Sequence, residues 1–159
     1  MASSPEIEFR TASFSDGDGA SLVQALRDEM AVVYEGLDMD SSKMPKAGAA
    51  ELGPPHGAFL VGYERGEAIC CGGVKRLDER HCELKRMYVV PRARGRGVAR
   101  LLLRALEDAA RQLGYTIARL DTGPRQPAAQ HLYESAGYAS IANFNANPVA
   151  SFFGEKALR

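Results

Sequence analysis

The residues best suited to chemistry are the alternating arginines and glycines of Arg92-Ala93-Arg94-Gly95-Arg96-Gly97, which lie between an apolar run ending at Val90-Pro91 and a helix-like stretch from Val98. Gly95 and Gly97 have no Cβ, so the backbone there can turn tightly and approach a ligand closely. A helix that starts just after them offers unpaired N–H groups and the positive end of its dipole. Such a turn is a cradle for phosphate. Arg92, Arg94, Arg96, Arg100 and Arg104 make it the most basic short stretch of the chain. Arg94 and Arg96, inside the turn, read as ligand contacts, and Arg100 and Arg104 as a solvated helix face.

The turn lacks the Gly-Lys-Ser/Thr ending of a nucleotide P-loop and the three spaced glycines of a dinucleotide fold. Arg92-x-x-Gly95-x-Gly97 instead resembles the pyrophosphate-binding signature of the GNAT superfamily of acetyl-CoA-dependent N-acetyltransferases. The resemblance extends through Glu83-Leu84-Lys85-Arg86-Met87-Tyr88-Val89 and through the segment from Gln126 to Tyr138, which is similar to the family's Asn-x-x-Ala-x-x-Leu-Tyr-x-x-x-Gly-Phe/Tyr helix. It implies that the strand carrying Met87, Tyr88 and Val89 splays from its parallel neighbour and holds a pantetheine arm in the gap, much as an added strand is held. It further implies that the diphosphate meets the N–H groups from Arg94 through Gly95, Arg96, Gly97 and Val98 to Ala99. Gln126 replaces the family's asparagine, one carbon longer, which changes the geometry of that pantetheine contact.

Amide formation needs a neutral amine, and an unperturbed lysine-like amine titrates near ~10.4, so a base must take a proton. Glu83 matches a position where many family members keep a glutamate for this, acting directly or through a water. A strand glutamate paired with Lys85 is the plainer alternative. Tyr133, the tyrosine of the Leu-Tyr motif, would protonate the departing thiolate, and the Val89 N–H would donate to the thioester oxygen. Strict alternation along the strand would put Glu83, Lys85, Met87 and Val89 on one face and Leu84, Arg86, Tyr88 and Val90 on the other.

In the family the acceptor usually enters beside the first helix and its following loop, which nominates Tyr34, Glu35, Asp38 and Asp40. Acidic groups there would suit a cationic amine, and an exposed acidic loop is the alternative. Three readings follow: a small-molecule amine acetyltransferase, a protein lysine or N-terminal acetyltransferase, and a non-catalytic acyl-CoA sensor that would not need Glu83 or Tyr133. His56, His81 and His131 lie far apart without cysteine or carboxylate at ligand spacing, so no metal is expected. A cysteine acyl-enzyme lacks an evident histidine partner.

The elements that must position these residues follow from periodicity. Ile7 to Thr11 reads as a strand, and Leu22, Val23, Leu26, Met30 and Val33 mark a helix that fades near Gly36. A loop extends to His56. Ala58 to Tyr63, Glu67 to Leu77 and Cys82 to Val90 form an antiparallel meander. Val98, Leu101, Leu102, Ala105, Leu106, Ala109 and Leu113 mark a long helix ended by Gly114. A strand from Ile117 to Thr122, a helix from Pro127 to Gly137, and strands over 138–142 and 151–158 complete the chain. The layout is α+β (mixed α/β), and the resemblance makes it a GNAT-like twisted mixed sheet flanked by about four helices.

Composition agrees with one domain over residues 1–159, large enough to bury about 68–70% of its unfolded surface. An apolar content of 45%, a charged content of 25% and zero net charge exclude a disordered tail and a generally basic nucleic-acid binder. Cys70, Cys71 and Cys82 read as buried thiols of a reducing compartment. With no signal-like start and no membrane-length apolar run, the chain is expected to be cytoplasmic, with no membrane partner. Val149 to Phe153 is apolar and suits either a homodimer edge or the core.

Overall fold

The computed structural model describes residues 4–159; residues 1–3, part of the segment read for a signal, lie outside the described residues. Seven strands form one sheet in the order β1-β2-β3-β4-β5-β7-β6. They are β1 (Glu8–Thr11), β2 (Ala58–Glu64), β3 (Glu67–Arg76), β4 (His81–Val89), β5 (Ile117–Thr122), β6 (Ala139–Ser140) and β7 (Phe152–Ala157). Only the β4–β5 pair is parallel. Where the resemblance implies about four helices, there are three α-helices, α1 (Gly17–Val33), α2 (Val98–Gln112) and α3 (Pro127–Ser135), and one 3-10 turn at Pro91–Ala93. Among the described residues, no helix is long and apolar enough to cross a membrane.

The periodic apolar positions bury as the helical spacing requires. Leu22, Val23, Leu26 and Met30 of α1 cover one face of the sheet at Phe59, Val61, Cys71 and Tyr88, helped by Ala47 and Leu52 from the long connection after α1. Val98, Leu102, Leu103, Leu106 and Ala110 of α2 cover the other face at Cys70, Val74, Cys82 and Leu84, with Tyr133 of α3 beside them. Adjacent Cys70 and Cys71 thus point to opposite faces. Burial pushes all three thiols up to about 12, which keeps them protonated and inert. Phe152 and Phe153 are buried within the chain itself, so of the two readings of that segment the core one applies to them. The strand expected over 138–142 is confined to Ala139–Ser140, because asparagine turns take over the chain from Asn143.

The sheet opens in the middle. β4 pairs with β5 only at His81–Ile117, Cys82–Ala118 and Glu83–Arg119, although both strands continue. On the opposite side, Gly73 faces Lys85 and Cys71 faces Tyr88, so Arg86 and Met87 together oppose Gly72. Two residues against one is a β-bulge, and Arg86 sits at φ +57. The bulge overturns the strict alternation: Glu83, Lys85, Arg86 and Tyr88 share the α1 side, while Leu84, Met87 and Val89 turn to the α2 side.

Gly72 lets α2 lie close against the bulge, since a Cβ there would stand 2.6 Å from Leu106 Cδ1. Gly72→Ala is therefore expected to cost about 1–3 kcal/mol by overpacking. Urea denaturation of Gly72→Ala, Leu106→Ala and the double variant should show the two losses summing to more than the loss in the double variant, because the shorter side chain admits the new methyl.

Candidate active site

Beyond Glu83 the gap between β4 and β5 becomes a cleft of about 680 Å³ that passes Met87, Tyr88 and Val89 and reaches Arg94, Gly95, Gly97, Val98 and Ala99. Gly95 and Gly97 have φ of +79 and +85, a conformation that costs other residues about 1–2 kcal/mol. No backbone acceptor among the described residues takes the N–H groups of Gly95, Arg96 or Gly97. Those of Val98, Ala99 and Arg100 are the unpaired donors of the first turn of α2. The Arg94 N–H differs from expectation, because it donates to Pro91 O within the 3-10 turn. Val90 N–H donates to Ile69 O, so one residue earlier the Val89 N–H points the other way, into the gap.

The arginine side chains are arranged differently from the sequence reading. Arg96 is held by Glu64 at 2.8 and 3.0 Å and does not line the cleft. Arg94 donates from Nε to Val89 O at 2.9 Å and from Nη2 to Glu29 of α1. Arg92 pairs with Glu67. Arg100, expected on a solvated face, lines the cleft instead, and so does Arg125. The turn therefore presents mainly backbone to a ligand. Gln126 lines the cleft as expected, and its extra carbon lets Oε1 accept from the Tyr34 hydroxyl at 3.1 Å. Tyr34 lies so close against Gly123 that any Cβ there would collide with it.

A second cavity, about 120 Å³, lies between α1, the connection after it and the α1 side of β4 and β5. It shares Leu26, Met30, Met87, Gln126 and Tyr133 with the cleft, so the two spaces adjoin along these five residues. Tyr34 lines it. Glu35 and Asp38 do not: Glu35 reaches out to Arg125, and Asp38 accepts from the Asp40 N–H within its own loop. Asp40 is drawn to Arg27 at 2.7 Å and Arg86 at 3.2 Å. The acidity expected at this wall is thus turned outward or neutralised.

Glu83 is completely buried and does not open onto the cavity. Its Oε2 meets Lys85 Nζ at 3.1 Å and Asn145 Nδ2 at 2.8 Å, and its Oε1 has no partner among the described residues. Burial raises its pKa above the ordinary carboxylate value, and the Lys85 charge works against that rise. The pairing with Lys85 is the one the plainer alternative expected, while Asn145 and Asp121 were missed. Asp121 lines the cavity, and the same Asn145 amide donates to it at 2.7 Å, joined by Asn147 Nδ2 at 3.0 Å. The signal was available in Asn143-Phe144-Asn145-Ala146-Asn147, which has more carboxamides than one turn requires. Tyr133 is buried, with its hydroxyl 3.6 Å from Met87 Sδ, and burial keeps it protonated throughout the neutral range.

A sheet parted at a parallel pair, with an amide-lined turn at a helix start and a second chamber beside the cleft, is the architecture of one acyltransferase family. The chain belongs to the acetyltransferase (GNAT) family, whose model matches residues 19–138. An uncharacterized N-acetyltransferase of Schizosaccharomyces pombe is 36% identical over 101 residues, covering 62% of each chain, so the match spans less than two thirds of that relative. An IAA acetyltransferase of Azospirillum brasilense is 37% identical over 111 residues, covering 67% of this chain and 72% of its own. The fold is also that of a GNAT family acetyltransferase from Elizabethkingia anophelis solved with acetyl-CoA bound, with a TM-score of 0.65, 14% identity, and coverage of 96% of this chain and 98% of that one.

The Asn145 amide stabilises the ionised form of Glu83. Asn145→Ala should therefore move the Glu83 midpoint further upward in a carboxyl-carbon NMR titration. An unchanged or lowered midpoint would show that the amide does not govern that charge.

Proposed function

We propose that the chain acetylates the primary amine of a small molecule by direct attack, with acetyl-CoA as co-substrate. The observation that carries this reading is the junction of the two cavities along residues that include Tyr133. The long cleft suits an extended phosphorylated thioester, with the amides of residues 95–100 at one end and the strand edge at Met87 to Val89 along its length. The smaller chamber suits an amine. Its volume of about 120 Å³ has room for only about four waters at roughly 30 Å³ each, which favours a small acceptor over an extended peptide.

Acetyl-CoA supplies an activated acyl group. Val89 N–H donates to the thioester oxygen, where negative charge grows during attack. The nitrogen–carbon bond forms, the carbon–sulfur bond breaks, and Glu83 receives the proton released by nitrogen. Because Glu83 does not reach the cavity, a water held at Oε1 passes that proton to it. Its raised pKa brings the carboxylate closer to neutral pH, where base catalysis is most effective. Tyr133 remains protonated and donates to the departing thiolate. A sensor would need neither the desolvated Glu83 nor the hydroxyl at the junction.

Glu83→Gln is expected to lower kcat about 10²-fold or more, and Tyr133→Phe by about the same factor, with binding of coenzyme A kept in both. Thiol release across a panel of primary amines measures the first, and calorimetry with coenzyme A the second. In the wild-type protein kcat/KM should fall as pH drops through the raised Glu83 pKa, since a protonated carboxyl accepts nothing, and Glu83→Gln should flatten that limb. Coenzyme A binding without turnover of any amine would favour the sensor.

A further inference from the structure

The small cavity carries two basic side chains where an acidic wall was expected, and its lining carboxylate, Asp121, is held by the amides of Asn145 and Asn147. Arg86 and Lys85 both line it, with side chains only 4% and 10% exposed. Lys85 is committed to Glu83. Arg86 is not fully engaged: Nε reaches Ala47 O at 3.4 Å, and Nη2 reaches Met39 O at 3.5 Å and Asp40 Oδ1 at 3.2 Å. Charge-assisted bonds normally close to about 2.7–2.9 Å, so all three are loose. Nη1 has no partner among the described residues. Asp40 gives its shorter bond, 2.7 Å, to Arg27, so it does not saturate Arg86.

Position 86 makes this more pointed. The bulge holds it at φ +57, where glycine is unstrained and arginine is not. An arginine is placed where the backbone favours a residue with no side chain, and a desolvated guanidinium with free donors is suited to a planar anion. Opposite it the cavity is apolar, formed by Leu26, Met30, Leu37, Met39 and Met44. A polyamine would push its distal ammonium against Lys85 and Arg86.

We propose that the acceptor is an α-amino acid with an apolar side chain, and that Arg86 binds its carboxylate. This rests on the reading of the small cavity as the acceptor site. A carboxylate taken out of water needs a paired charge and hydrogen bonds, which the guanidinium fork supplies at two donors. The apolar wall takes the side chain, and the amine is left facing the junction with the cleft. A chamber of about 120 Å³ matches a single small molecule of amino-acid size.

The test compares leucine with isopentylamine and phenylalanine with phenethylamine, pairs that differ only in the carboxylate, by thiol release, and measures binding of the two amino acids to the coenzyme A-loaded protein by calorimetry. In the wild type, kcat/KM counted per unprotonated amine should favour the amino acid at least tenfold, the worth of about one charge-assisted bond. In Arg86→Met that ratio should collapse towards one, and in Arg86→Lys part of it should survive; thermal unfolding shows whether each variant is folded. The wild-type ratio needs no variant, so an Arg86→Met protein that fails to fold leaves the test intact. Equal kcat/KM within each pair, or a preference for the decarboxylated amine, overturns the inference and leaves amine acetylation standing. Amino-acid binding that is weakened in Arg86→Met, without turnover of any acceptor, supports the carboxylate site and overturns the proposed function. Neither binding nor turnover overturns both.

Discussion

A sheet whose strands pair along their whole length has no space between them, and everything functional here depends on β4 leaving β5 after Glu83. The bulge at Arg86 and Met87 bends β4 towards β3, which keeps its hydrogen bonds, and frees the edge towards β5. Unpaired strand backbone is costly in a dry interior. The strand ends give it an opening instead, and α1 on one face and α3 on the other form the walls. The same bulge changes the phase of the side chains, so that Tyr88 packs under α1 while Met87 and Val89 turn to α2.

The opening would be a weak spot without the elements that bridge it. Tyr34, at the end of α1, lies against Gly123 beyond β5 and donates to Gln126. Arg125 donates to Val33 O, and Arg94 links Glu29 to Val89 O. The first two join α1 or its end to the chain on the far side of the gap, and the Arg94 contacts tie α1 to the end of β4 on the near side. These are polar, partly exposed contacts, which rearrange at small free-energy cost. The apolar contacts of α2, by contrast, fix the sheet floor on which the phosphate turn stands.

Much of this was legible in the sequence because it follows from local rules. Helical spacing located α1 and α2, glycine placed the turn at residues 95–97, and the motif from Gln126 to Tyr138 located α3. What was not legible depends on partners distant along the chain. The glutamates that hold Arg94 and Arg96 lie 65 and 32 residues away. Strict alternation failed because nothing local marks Arg86 as the left-handed residue of a bulge. Glu35 and Asp38 were nominated by charge, and their side chains turn to Arg125 and to their own loop. Asp121 and Asn145 read as an ordinary strand residue and an ordinary turn residue until the fold brought them together across 24 positions.

Glu83 and Asp121 pose an electrostatic problem that the asparagine loop addresses. Burial raises the Glu83 pKa, and the nearby Asp121 charge adds to that rise. Left alone, Glu83 would be driven towards its neutral form. Lys85 and the Asn145 amide counter this by favouring the charged form of Glu83 from two directions. Asn145 donates to both carboxylates with one amide, and Asn147 gives Asp121 a second donor. The loop can do so because Asn143 and Asn147 spend their own carbonyls on its backbone N–H groups, at Asn145, Ala146, Val149 and Ala150, which fixes its shape without help from elsewhere. A turn outside the sheet thus adds to the Lys85 charge in favouring the ionised form of a glutamate inside it, and the distance between those elements in the chain explains why charge counting along the sequence did not reveal the arrangement.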